Sequence, residues 1–196
     1  MRSSYQKILG ILAEWMDSFD WEPEHMRHVS RLSVKLFDQL QPLHQLSKQD
    51  RFLLEAGALV HDVGFPQDEA NHHKISQHLI LDKTFPGLEN NQRHIIALLA
   101  RYHRKAKPKK KHKLFAALLP VDQERVRKLA ALLRIADGLD RSHTQNIQNL
   151  DCKIGDRSIT LSFSSFHNPF EELYAVRKKA ALFEEVFHKK MMFQCV

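Results

Sequence analysis

The chain has 196 residues, 43% of them hydrophobic, with only 6 glycines and a formal net charge of +7. That length supports one domain with a sizeable core, and scarce glycine beside long stretches of Leu, Ala, Lys, Arg, Glu and Gln predicts a mainly helical protein. No apolar run reaches the roughly 20 residues of a membrane span, and the two cysteines lack the CxxC spacing of a zinc knuckle or disulfide framework, so a cytoplasmic location without membrane contact is expected.

Ile8, Ile11, Leu12, Trp15 and Met16 recur at helical spacing and predict a first amphipathic helix over residues 4–17. Val29, Leu32, Leu36, Phe37 and Leu40 predict a second over 22–40, opened by Pro23 and Glu24, which suit a helix N-terminus. His25 stands four residues before Val29 and shares its inward face, while His28, one turn on, competes with it for any ligand role.

Ser47 and Asp50 have the spacing of a capping box, so the next helix is expected to start at Lys48. From Leu53 to Val60 this helix is almost entirely small or apolar, as a buried helix would be. Its last turn is expected to deliver the adjacent pair His61 and Asp62, with Gly64 marking the end. Neighbours on a helix lie about 100° apart, so such a pair reaches one cation only near a helix terminus.

After the turn at Phe65 and Pro66, another helix begins near Asn71 and carries His72, His73 and His78. His72 and Ser76 share a face with Leu79 and Ile80, which directs His72 inward and leaves His73 or His78 partly exposed. Phe85-Pro86-Gly87 breaks the chain, and Ile95, Ile96, Leu98, Leu99 and Tyr102 mark a helix over 89–103 that ends at His103. Residues 101–113 hold eight lysines and arginines and no acid, more positive charge than the net +7 of the whole chain. The part over 104–113, with Pro108 inside it, is expected to be a loop, either a solvated segment or an attractor of polyanions.

Pro120 opens a helix through Val126, Leu129, Leu132, Leu133 and Ile135 that stops at Asp137 and Gly138. An aspartate at a helix C-terminus opposes the macrodipole and calls for a compensating cation. The period then changes: Cys152, Ile154, Ile159, Leu161 and Phe163 alternate around Gly155 and predict a β-hairpin. Asn168 and Pro169 begin a last helix with Leu173, Val176, Leu182, Phe183, Val186 and Phe187. A lone hairpin is not stable in water, so the expected organisation is a helical domain over 1–150 with a small α+β appendage over 151–196 packed on it.

Each helix end thus offers a metal-ligating side chain: His25, His61 with Asp62, His72, His103 and Asp137. Imidazoles and carboxylates without thiolates suit one or two divalent ions of Mn, Fe, Co, Ni, Mg or Zn rather than a structural zinc.

This order resembles the HD-domain superfamily of metal-dependent phosphohydrolases, over roughly residues 20–150. His61-Asp62-Val63-Gly64, His72-His73-Lys74-Ile75-Ser76, Arg101-Tyr102-His103-Arg104-Lys105 and the stretch from Leu133 to Ser142 are similar to the C-terminal HD-like domain of the exopolyphosphatase and guanosine-pentaphosphatase family. The resemblance implies an HD-type helical bundle in which His25, His61, Asp62 and Asp137 hold a first metal and Asp62 bridges to a second held by His72 and His103. His73 and His28 stand as alternates. His61 and Asp62 are then the catalytic pair, and Arg104, Lys105, Arg134 and Arg141, which lie beside ligand positions in sequence, are the candidate phosphate contacts, with Arg134 equally a structural partner for Asp140.

The implied activity is hydrolysis of a phosphoester or phosphoanhydride in an anionic phosphorylated small molecule or polyphosphate. The alternative is a non-catalytic polyphosphate- or nucleotide-binding regulatory module, with nucleic acid a weaker candidate partner and oligomeric state, homodimer included, left open. Nothing here forms the glycine-rich phosphate loops of actin-like exopolyphosphatase domains, so their mechanism is not implied. Phe65 stands where cyclic-dinucleotide phosphodiesterases of the superfamily have lysine, which argues against cyclic dinucleotides.

Overall fold

The computed structural model describes the backbone of residues 2–196 and the side chains from residue 4 onward. Ten helices and three strands follow in the order α1 (Arg2–Asp17), α2 (Pro23–Gln39), α3 (Gln41–His44), α4 (Lys48–Leu59), α5 (His72–Asp82), α6 (Asn90–Tyr102), α7 (Lys113–Ala116), α8 (Pro120–Gly138), β1 (Ile147–Ile154), β2 (Ser158–Ser165), α9 (Phe170–Lys179), α10 (Ala181–Phe187) and β3 (Lys190–Cys195). The protein is mainly α, as its composition predicts, with a small mixed sheet.

Local chemistry sets the helix starts. Ser47 and Asp50 form the expected capping box at the head of α4, with Ser47 Oγ accepting from the Asp50 backbone and Asp50 Oδ2 accepting from Ser47 N at 2.8 Å. Pro23 sits in the first turn of α2 and Pro120 in that of α8, where a missing N–H costs nothing.

Packing of α2, α4, α6 and α8 builds the core that holds the site. Gly57 lies in the last turn of α4 and faces α6. A Cβ there would stand 2.8 Å from Leu99 Cδ1, so the bare backbone lets α4 approach α6 closely and brings their C-terminal ends together.

The sheet order is β1-β2-β3. β1 and β2 form the predicted antiparallel hairpin, with Ile154 opposite Ile159 and Cys152 opposite Leu161. β3 returns parallel to β2 after α9 and α10, a strand the sequence reading does not contain. The single last helix expected there is two, separated at Ala180. The outer edge of β1 is covered by α2: Gln39 donates to Leu150 O at 2.7 Å and accepts from Cys152 N at 2.6 Å. One continuous apolar core runs from Ile8 to Met191 through both the bundle and the sheet. Among the described residues, no helix is long and apolar enough to cross a membrane.

Candidate metal centre

Six buried side chains from five places in the chain meet at one end of the bundle. His25 comes from the first turn of α2, His72 opens α5, His103 caps the C-terminus of α6, and Asp137 lies in the last turn of α8. His61 and Asp62 lie just beyond α4, whose last helical residue is Leu59, in a series of turns. The expectation that they ride the last helical turn is therefore corrected: leaving the helix frees the two side chains from the 100° step, so both face one centre.

Gly64 also differs from its expected role. Its φ is not positive, so it is no left-handed helix cap. A Cβ on Gly64 would stand 2.5 Å from Ser76 N and 2.7 Å from His72 O, so its small size lets the turn press directly on the head of α5. Gly64 N donates to Ser76 Oγ at 2.9 Å and locks that contact. This places His72, four residues before Ser76, beside Asp62.

Asp62 is the centre of the arrangement. Its Oδ1 lies 3.3 Å from His72 Nε2, 3.3 Å from His103 Nε2 and 3.7 Å from His61 Nε2. Its Oδ2 lies 4.0 Å from His25 Nε2, and Asp137 Oδ1 lies 3.8 Å and 3.9 Å from the Nε2 atoms of His25 and His61. Two triads result, His25 with His61 and Asp62, and Asp62 with His72 and His103, sharing Asp62.

The far side of each imidazole is tied down. His61, His72 and His103 each direct Nδ1 at the backbone carbonyl three residues earlier, Ala58, Glu69 and Ala100, at 2.7 Å. His25 Nδ1 bonds Asp140 Oδ2 at 2.9 Å. A carbonyl only accepts, so Nδ1 carries the proton in those three and the Nε2 lone pair points inward. The Nε2 atoms of His25 and His61 and Oδ1 of Asp62 are buried with no hydrogen-bond partner, and His72 Nε2 faces His103 Nε2 at 3.2 Å. Buried lone pairs turned on each other are costly unless a cation lies among them, and this donor set fits divalent ions.

The electrostatics agree. Burial opposes ionisation of Asp62, but the imidazoles of His61, His103 and His72 outweigh it and hold the carboxyl well below its usual range. Asp137 is likewise kept ionised against its burial, chiefly by Lys179 and then by His103 and His61. Burial lowers the pKa of His72 and His103 against the pull of Asp62, which raises both. His25 differs: burial works against its charge, yet the bond to Asp140 with Asp137 and Asp62 nearby raises its pKa.

Asp62, His72, His103 and Asp137 line a cavity of about 680 Å³, while His25 and His61 are fully buried outside its lining. Residues 12–181 match the family model described as Ppx/GppA phosphatase, domain III. The chain belongs to that family. In this Ppx/GppA domain III chain the cavity also receives Arg104 and Arg141, two of the four predicted phosphate contacts. Arg104 Nη1 lies 3.2 Å from both ring nitrogens of His72.

The other two predicted contacts go elsewhere. Arg134 is buried and donates to the carbonyls of Tyr102 and Ala106 at 3.0 and 3.5 Å, so it is neither a cavity residue nor the partner of Asp140. Lys105 is spent on Ala70 O at 2.7 Å. Of the alternates, His73 is buried beside His72 but outside the cavity, leaving His78 as the exposed histidine of α5, and His28 turns toward Arg31.

Three residues at the site were not found from sequence. Asp140 orients His25, and Lys179, the last residue of α9, pairs with Asp137 Oδ2. The aspartate that opposes its own helix dipole thus has a lysine beside it. His143 stacks on His25 with ring centroids 3.7 Å apart, held at a positive φ of 57°. The only signals were an acid three residues after Asp137 and the unexplained charge of Asp137 itself.

Proposed function

We propose that this chain is a metal-dependent phosphohydrolase of the HD-domain type, acting on a phosphoester or phosphoanhydride. The observation that carries the reading is the convergence of four anchored imidazoles and two ionised carboxylates, with buried Nε2 and carboxylate atoms lacking any protein partner. A module that only bound anions would gain nothing from two buried carboxylates on the floor of its cavity.

His25, His61, Asp62 and Asp137 would hold one cation, and Asp62, His72 and His103 a second. When bound, such cations would polarise a phosphoryl oxygen and lower the pKa of a water toward about 7. The protein's own part is to fix the Nε2 lone pairs through their Nδ1 anchors and to hold a phosphate with Arg104 and Arg141 at the cavity wall. Arginine suits that task because its planar fork matches two phosphate oxygens.

The test is elemental analysis of the purified protein together with phosphate release from a panel of nucleotides and inorganic polyphosphates, for the wild type and Asp62→Ala. The expected result is one or two equivalents of a divalent metal and phosphate release, both lost in the variant. Binding of the panel without metal and without turnover would give the chain to the regulatory reading instead.

A further inference from the structure

A second cavity, of about 290 Å³, lies between α5, α6 and the head of α7 and shares no lining residue with the metal cavity. Its size is at the lower end of small-molecule sites. His78 and Leu81 reach it from α5, and Leu98, Arg101 and Tyr102 from one face of α6, by the three- and four-residue steps that align helical side chains.

The remaining wall comes from the end of the basic run and is tied in place. Tyr102 is fully buried, and its hydroxyl is hydrogen-bonded to His112 Nδ1 at 2.7 Å. Burial pushes the phenol up to about 12, so it keeps its proton at neutral pH. Lys113 and Leu114 follow His112 and also line the cavity. Of the eight cations in 101–113, Arg104 faces the metal cavity, whereas Arg101 and Lys113 face this one.

The lining combines apolar walls with unopposed positive charge. Leu81, Leu98, Leu114 and the Tyr102 ring supply the first, and no aspartate or glutamate stands among the lining residues. Arg27, Arg51, Arg125 and Arg127 each pair with a carboxylate. Arg101 does not: its Nη1 is buried with no hydrogen-bond partner among the described residues, and burial lowers its pKa with no acid opposing. A buried donor left without an acceptor is costly, and a guanidinium fork matches the two oxygens of a carboxylate.

The geometry points to a binding site for a small carboxylate with an apolar body, such as a medium-chain fatty acid. The carboxylate lies on Arg101 with Lys113 beside it, and the chain lies against Leu81, Leu98 and Leu114. Inorganic phosphate fits less well, because it brings more charge to bury and leaves the apolar walls empty. The site stands whatever the metal centre does.

The experiment is a titration of the full chain, labelled with nitrogen-15, with octanoate, octan-1-ol and inorganic phosphate in turn, followed by amide chemical shifts. Octanoate is expected to move amides of residues 77–81, 98–102 and 112–114 saturably, and octan-1-ol to bind roughly tenfold more weakly or worse. Phosphate is expected to leave those amides in place. Arg101→Met keeps the stem without the charge and should weaken octanoate by about the same factor. Leu114→Trp fills the cavity from a partly exposed wall and should abolish binding. The spectra also report folding, so either variant alone decides. Equal affinity for octanoate and octan-1-ol, octanoate shifts confined to the metal cavity, phosphate shifts as large as those of octanoate, or unchanged binding in a folded variant overturns the site.

Discussion

Asp140 Oδ2 lies 2.9 Å from His25 Nδ1, joining two fully buried residues 115 positions apart. Asp140 is also tied to its own loop, since its Oδ1 accepts from Gln145 N at 2.8 Å. The carboxylate therefore fixes the ring of His25 and increases its basicity. Outer partners of metal-binding histidines of this kind are worth roughly 10–100-fold in affinity. Asp140→Asn keeps the shape and removes the charge, so manganese affinity should fall by about that factor, with the far-ultraviolet circular dichroism unchanged. Unaltered affinity in calorimetry would show that the contact does not act on a bound ion.

Gly64 and Gly10 should respond to alanine in opposite directions. At Gly64 a Cβ meets backbone atoms of His72 and Ser76 at 2.7 and 2.5 Å, and backbone at a helix head does not give way cheaply. Gly64→Ala should cost roughly 1–3 kcal/mol and weaken metal binding, because it pushes Asp62 away from His72. Gly10 lies on the exposed face of α1 with nothing within 4 Å of the added carbon. Gly10→Ala should stabilise by about 0.5–1 kcal/mol. Urea melts of both variants decide the matter.

Much of this was readable from local pattern. The capping box at Ser47, the inward faces of His25 and His72, and the break at Phe85-Pro86-Gly87 depend on neighbours within a few residues, where periodicity carries the information. Other features depend on distant partners. β3 exists because β2 offers it a ladder, Arg134 is spent on carbonyls of the 102–106 segment, and Gly64 needs its small size because of α5 rather than its own dihedrals. Lys179 sits 42 residues beyond Asp137 on a helix whose charges look like an ordinary solvated face.

The two thiols should differ in reactivity. Burial, then the neighbouring Asp151, pushes Cys152 up to about 12, whereas Cys195 is exposed near the chain end. At pH 8 the thiolate of Cys152 is then on the order of one part in ten thousand, and the thiolate is the nucleophile. Iodoacetamide on the folded protein should add one carbamidomethyl group, mapped to Cys195 by peptide mass spectrometry. A second should appear only in denaturant. Equal labelling of both in the folded state would contradict the partly buried position of Cys152.

Lys179 should act as a stand-in for a cation in the metal-free protein. Its ammonium is the largest influence holding Asp137 ionised, and Asp137 also carries the adverse field of the α8 C-terminus. Lys179→Met keeps the length of the side chain and leaves a buried carboxylate without its partner, a loss of roughly 3 kcal/mol or more for a fully buried pair and less here, where the lysine is partly exposed. The melting temperature of the metal-free variant should therefore fall below that of the wild type. The sign with pH follows from the depressed carboxyl. Its stabilisation is present above the usual aspartate pKa of about 4 and is lost as pH falls through the lower folded value, so the wild type should lose stability steeply in acid and the variant less so. A divalent ion at Asp137 supplies the missing positive charge, so manganese should raise the melting temperature more in Lys179→Met than in the wild type. An equal shift in both proteins would mean that Lys179 and the ion do not share Asp137.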